Sequence, residues 1–186
     1  MPGMISGAEG TGAVALRRSG PGLAVPRLSP GARVACLVGM MQAGAYGRSA
    51  TRTEHLLLGL AGCPETTSAR ALASLGLTVE VLDAEVRRAC GRGWLIRRVA
   101  MQLDPAVRAL VGVLARQAPA DGDRLIRSGD LLLALAEHGT AGGRRVLDGL
   151  GVGAADVRRV LAETPLAEGG HVETHIRLVD GRCVHG

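Results

Sequence analysis

One stretch of the sequence occurs twice. Thr53-Glu54-His55-Leu56-Leu57-Leu58-Gly59-Leu60-Ala61 returns, altered, as Ser128-Gly129-Asp130-Leu131-Leu132-Leu133-Ala134-Leu135-Ala136, 75 residues later. The same offset joins Leu28-Ser29-Pro30 to Leu103-Asp104-Pro105, Arg33 to Arg108 and Gln42-Ala43 to Gln117-Ala118. It also joins Gly47 to Gly122, Leu72 to Leu147 and Leu75-Gly76 to Leu150-Gly151. A single register across most of the chain constrains the fold more than any one motif. Each copy must build the same unit and bury its apolar face against a neighbour.

The unit reads as four helices. Ser29 is a good N-cap and Pro30 suits the first helical position, where its missing donor costs nothing. Val34, Leu37, Val38 and Met41 follow at helical spacing and predict a buried stripe. Gly44-Ala45-Tyr46-Gly47 ends this helix. A second helix opens at Thr53 as cap, with Glu54 beside the positive end of the helix dipole. Its leucines cover more than one face, which makes it central. A third starts at Cys63-Pro64-Glu65 and stops at Gly76 as a left-handed C-cap. Thr78 caps a fourth, which runs into Gly91-Arg92-Gly93. In the second copy the helices are expected at Pro105–Ala118, Ser128–His138, Thr140–Leu150 and Ala154–Glu163. The predicted class is all-α, two four-helix repeats with pseudo-two-fold symmetry, at 28–93 and 101–163. Residues 1–27, rich in Gly and Pro, read as a flexible leader. Residues 164–186 read as a tail, either disordered or a short hairpin turning at Asp180-Gly181.

Composition excludes several functions. All 22 basic residues are Arg, so a phosphate-gripping loop that needs its lysine is excluded within this polypeptide. The net charge of +5 raises nucleic acid as a partner. The arginines are scattered, however, and aromatics for base stacking make up only 1% of the residues, so a solvated basic surface is the reading. No apolar run reaches membrane-spanning length and no signal peptide is evident, so no membrane partner is expected. Cys36, Cys63, Cys90 and Cys183 lack C-x-x-C or framework spacing, which suits a reducing, cytoplasmic setting.

With these residues in view a resemblance can be stated. Leu-Ser-Pro at 28–30, Arg33, the Thr-Glu-His-Leu-Leu-Leu-Gly-Leu string at 53–60, Leu-Gly at 75–76 and Gly-Arg-Gly at 91–93 resemble the Clp N-terminal (Clp repeat) domain. That module receives substrates and adaptors for ClpC- and ClpA-type unfoldases. The likeness covers residues 28–163. No AAA+ ring follows it here, so the resemblance implies a stand-alone, non-enzymatic interaction module without its motor. Its expected partners are Clp unfoldase or protease components, or their substrates and adaptors, and its expected role is adaptor or decoy.

The resemblance also implies two pockets, one per repeat, for phosphorylated arginine. Ser29 and Glu54 match the first. Asp104 and Ser128 hold the corresponding places in the second, where Gly129 replaces the glutamate. A carboxylate pairs with the guanidinium, while hydroxyls and helix N-terminal amides hold the phosphate. Loss of the acid at Gly129 and repulsion of phosphate by Asp104 argue against the second pocket, unless Asp130 points the same way. The same family face binds cyclic-peptide antibiotics through a Phe before each first helix. Leu28 and Leu103 stand there, and antibiotic sequestration is an alternative role.

Other chemistry is weaker. A small hydrolase built on Cys or His lacks a nucleophile–base–orienter arrangement, so no catalytic residue is assigned. His55 reads as a structural histidine, and Cys36 and Cys90 as small core residues. His171, His175, Cys183 and His185 could bind zinc but are too loosely spaced to count as a site. No metal or cofactor is expected.

Overall fold

The computed structural model describes residues 28–91, 102–117, 125–138 and 142–167, and the backbone of 176–179 and 182–185. The leader, Trp94 and the Asp180-Gly181 turn lie outside the described residues. Eight helices occur among them: α1 Pro30–Ala45, α2 Thr53–Ala61, α3 Thr67–Ser74, α4 Val79–Cys90, α5 Pro105–Gln117, α6 Ser128–His138, α7 Gly142–Gly149 and α8 Ala154–Glu163. Every helix of the first set starts 75 residues before its counterpart. The all-α fold therefore carries the sequence register into space.

Short extended segments tie the two sets together reciprocally. Strand β1 (Ala50–Thr51) pairs in parallel with β2 (Gln102–Leu103), and Asp104 N donates to Thr51 O at 2.9 Å. Leu28 bridges to Ile126, also in parallel, and Ser29 N donates to Ile126 O at 2.9 Å. Shifting either bond by the repeat offset produces the other. Gly143 N donates to Thr53 Oγ1 at 3.0 Å, and Ser68 N donates to Ser128 Oγ at 3.3 Å. These two are also related by the same shift. Each set thus lends backbone donors to the other, as a pseudo-two-fold axis demands.

The caps follow local chemistry. Ser29 Oγ accepts from Ala32 N at 3.1 Å, and Thr78 Oγ1 accepts from Val81 N at 3.4 Å. Two expected starts are corrected. Helix α2 is capped by Arg52 rather than Thr53, because the Thr53 hydroxyl is engaged by Gly143. Helix α3 begins at Thr67 rather than Cys63, since Thr66 accepts from Ala69 N at 3.4 Å and its hydroxyl donates to Cys63 O at 2.7 Å. Helix α7 begins at Gly142; the expected start at Thr140 lies outside the described residues. Gly76 and Gly151 both stop their helices, at φ of 73° and 72°, a conformation that favours a residue without Cβ.

The core runs through α2 and α6. Leu56, Leu57, Leu58 and Leu60 are buried, as are Leu131, Leu132 and Leu135, each contributing about 1.5–3 kcal/mol by removal from water. The predicted stripe on α1 is partly wrong. Leu37 is 56% exposed, and the buried face is Gly31, Ala32, Ala35, Val38, Gly39, Gln42 and Ala43. The cause is distance. A Cβ on Gly59 would lie 2.1 Å from Ala35 O and 2.6 Å from Gly39 N, so α2 presses on α1 too closely for a leucine between them.

Two further strands, β3 (Ile176–Val179) and β4 (Arg182–His185), pair antiparallel with Val179 opposite Arg182.

Candidate functional site

The start of α2 crosses the start of α7, and the contact is set by two glycines. Gly143 N meets the Thr53 hydroxyl. Gly142 makes room for Glu54: a Cβ on Gly142 would stand 2.1 Å from Glu54 Oε2. Glu54 is 2% exposed, and among the described residues its Oε2 has no hydrogen-bond partner. A buried carboxylate oxygen left in this state costs free energy, of the order of 1–3 kcal/mol or more. It is poised for a donor from outside the chain.

Beside it lies a cavity of about 360 Å³ lined by Arg52, Glu54, Ala89, Cys90, Asp104, Gly142 and Arg145. Four elements supply it. Asp104 follows β2, held by its backbone bond to Thr51, and its Oδ1 accepts from Ala106 N at 2.8 Å to cap α5. Cys90 ends α4, and Arg48 Nη2 donates to its carbonyl at 2.8 Å. Arg52 and Arg145 are exposed and form the rim. The arrangement offers two carboxylates and two guanidiniums facing one space, a match for a ligand carrying both signs of charge.

The structure regroups the residues singled out from sequence. The cavity joins Glu54 to Asp104, not to Ser29. The reason is the strand exchange: the segment before α5 pairs with the first set, and the segment before α1 pairs with the second. Ser29, 2% exposed, caps α1 and bonds to Ile126; Ser128 is fully buried and receives Ser68 N. At the place equivalent to Glu54, a Cβ on Gly129 would lie 3.2 Å from Leu161 Cδ2 and 3.6 Å from Thr67 Cγ2. Thr67 is the counterpart of Gly142, so one crossing has a long acid over a glycine and the other a glycine under a threonine. Thr67 Oγ1 also accepts from Ala167 N at 3.0 Å, which brings the chain after α8 across this place. Asp130 Oδ2 accepts from Arg127 N at 2.9 Å. That is the counterpart of the bond from Arg52 N to His55 Nδ1 at 3.1 Å. Asp130 thus repeats the capping role of His55 rather than the role of Glu54. Leu28 and Leu103 are half-buried on the two reciprocal bridges and pack against the core.

His55 is 1% exposed, and burial, then Arg48 and Arg52, pull its pKa down to about 4, so the ring is neutral at pH 7. Its ring centroid lies 5.6 Å from that of Tyr46. Burial pushes the Cys36 thiol up to about 11. Burial also raises the Cys90 thiol, with the Glu54 charge adding to it and Arg145, Arg48 and Arg52 opposing. Among the described residues no three His, Cys, Asp or Glu side chains come close enough to hold a metal, and no helix is long and apolar enough to cross a membrane.

Sequence reasoning missed Arg52, Cys90, Gly142 and Arg145 as wall residues. The repeat register held one signal: Gly142-Gly143 replaces Thr67-Ser68 opposite the acid.

Comparison with known proteins agrees with this architecture. The family described as "Clp repeat (R) N-terminal domain" matches residues 39–150. The chain is 30% identical over 135 residues to "Chaperone protein ClpC2, chloroplastic" of Oryza sativa subsp. japonica, covering 70% of this chain and 15% of that protein. It is 32% identical over 106 residues to "Negative regulator of genetic competence ClpC/MecB" of Bacillus subtilis (strain 168), covering 57% of this chain and 13% of that protein. The chain belongs to the Clp repeat N-terminal domain family. It is a Clp-related interaction module, and it spans about 15% of the length of the curated relatives it matches.

Proposed function

We propose that residues 28–163 form a non-enzymatic docking module of the Clp system, whose cavity takes a phosphoarginine side chain of a client or adaptor. The observation that carries this reading is the buried, unpartnered Glu54 Oε2 opening on a cavity rimmed by Arg52 and Arg145. The ligand guanidinium donates to Glu54, and Asp104 adds a second negative neighbour. The phosphate lies against the two arginines, which offset the repulsion from Asp104. One such pocket serves the module, since Gly129 brings no acid to the equivalent place. By binding side chains that a Clp unfoldase also receives, the protein acts as adaptor or decoy. The names of ClpC relatives point to the same system.

Calorimetry with a phosphoarginine peptide, its unphosphorylated form and a phosphoserine control tests this. Binding of the first alone, lost in Glu54→Gln, is the expected result; equal affinity of wild type and variant overturns the assignment. Added to a reconstituted Clp unfoldase and peptidase, the protein either speeds client turnover, as an adaptor, or slows it, as a decoy. An unchanged rate overturns both roles.

A further inference from the structure

The wall of the cavity contains a thiol that peptide docking leaves unused. Among the cysteines with described side chains, Cys63 is 1% exposed, and Cys36 is half-buried but does not line the cavity. Cys90 does, at the end of α4. Its backbone carbonyl accepts from Arg48 Nη2. The same cavity contains the unpartnered, 2% exposed Glu54 carboxylate, together with Asp104, Arg52 and Arg145.

We propose that Cys90 is a modification site for a small zwitterionic disulfide, and that the half it retains fills the cavity and blocks docking. The Cys90 thiol gives its proton to water, and the resulting thiolate attacks one sulfur of the reagent. The reagent's S–S bond breaks, a Cys90–S–S–R bond forms, and the electron pair leaves with the other sulfur as a thiolate, which takes a proton from water. Cys90 is oxidised and the reagent reduced. The retained half carries an ammonium and a carboxylate. The ammonium donates to Glu54 and Asp104, and the carboxylate accepts from Arg145 and Arg52. The mixed charge of the site makes the reaction slow for reagents of one sign and selective for the zwitterion. This inference rests on the reading of the cavity as a ligand site, but its chemistry does not need phosphoarginine.

The test uses the full chain carrying Cys183→Ser, which removes the tail thiol. It is incubated with cystine, with cystamine (cationic) or with dithiodiglycolate (anionic). Attachment at each cysteine is timed by peptide mass mapping. Cystine is expected to label Cys90 faster than either single-sign reagent by roughly tenfold, the factor one charge-assisted contact supplies. Arg145→Ala, on the exposed rim, is expected to remove most of that advantage, and a thiol reductant to reverse the label. Equal rates for the three reagents, or labelling of Cys90 no faster than Cys36, overturns the proposal. The labelled protein is then titrated with the phosphoarginine peptide; full affinity overturns the block. If unlabelled protein also ignores that peptide, the phosphoarginine reading falls alone, and the filling of the cavity is scored instead by the carbon-13 resonance of the Glu54 side-chain carboxyl before and after labelling. An unmoved resonance then overturns it.

Discussion

Glu54 and Gly142 compete for one volume: the carboxylate occupies the space into which any side chain at position 142 would grow, with Oε2 2.1 Å from the missing Cβ. Gly142→Ala therefore has to displace the acid or part the two helix starts. We expect a loss of about 1–3 kcal/mol, as for overpacking elsewhere, and at least a tenfold fall in ligand affinity. Chemical denaturation and calorimetry on the same sample check the two effects.

Glu54→Gln separates binding from stability. The substitution keeps the volume but removes a buried charge whose Oε2 lacks a partner among the described residues. We expect the variant to gain roughly 1 kcal/mol in urea unfolding while losing its ligand, the usual exchange at a binding site. A variant less stable than wild type would show that Glu54 supports the fold rather than the ligand.

Gly59→Ala tests the crossing of α1 and α2. The added Cβ would meet backbone at 2.1 Å and 2.6 Å, which no rotamer can relieve. A loss of about 3 kcal/mol or more is expected, at the upper end of overpacking costs. In contrast Leu37→Ser, at a position 56% exposed, should change stability by less than about 0.5 kcal/mol.

His55 gives the fold an acid limit. Its folded pKa, near 4, lies below the ordinary 6.5, so the unfolded chain binds the proton first as pH falls. The contribution is fully present above pH 6.5 and is lost between 6.5 and 4, by about 3 kcal/mol over that window. Asn at this position keeps an acceptor for Arg52 N without titrating. Unfolding free energies measured from pH 7 to 4 should fall in wild type and stay flatter in His55→Asn.

Much of the fold was legible because the duplication fixed each element twice. Where one copy of a start signal was ambiguous, as at Thr53, its counterpart Ser128 stood at the same place. The misreadings arose where a residue answers to a partner distant in sequence. Thr53 looks like a cap but serves Gly143, and Leu37 looks like core but faces out because Gly39 and Gly59 bring two helices together. The acid of the site could be picked out from its motif. Its neighbours could not, since Asp104 reaches Glu54 only through the exchange of β1 and β2, and Cys90 and Arg145 carry no pattern of their own.

That exchange reaches beyond the pocket. Each four-helix set leaves an extended edge open and brings in the segment that closes the other's. A chain cut between α4 and α5 and expressed as separate pieces should recover native structure only when both pieces are mixed. A single-copy forerunner would have met the same requirement by pairing with its twin. The cavity, walled from both sets, belongs to neither piece alone.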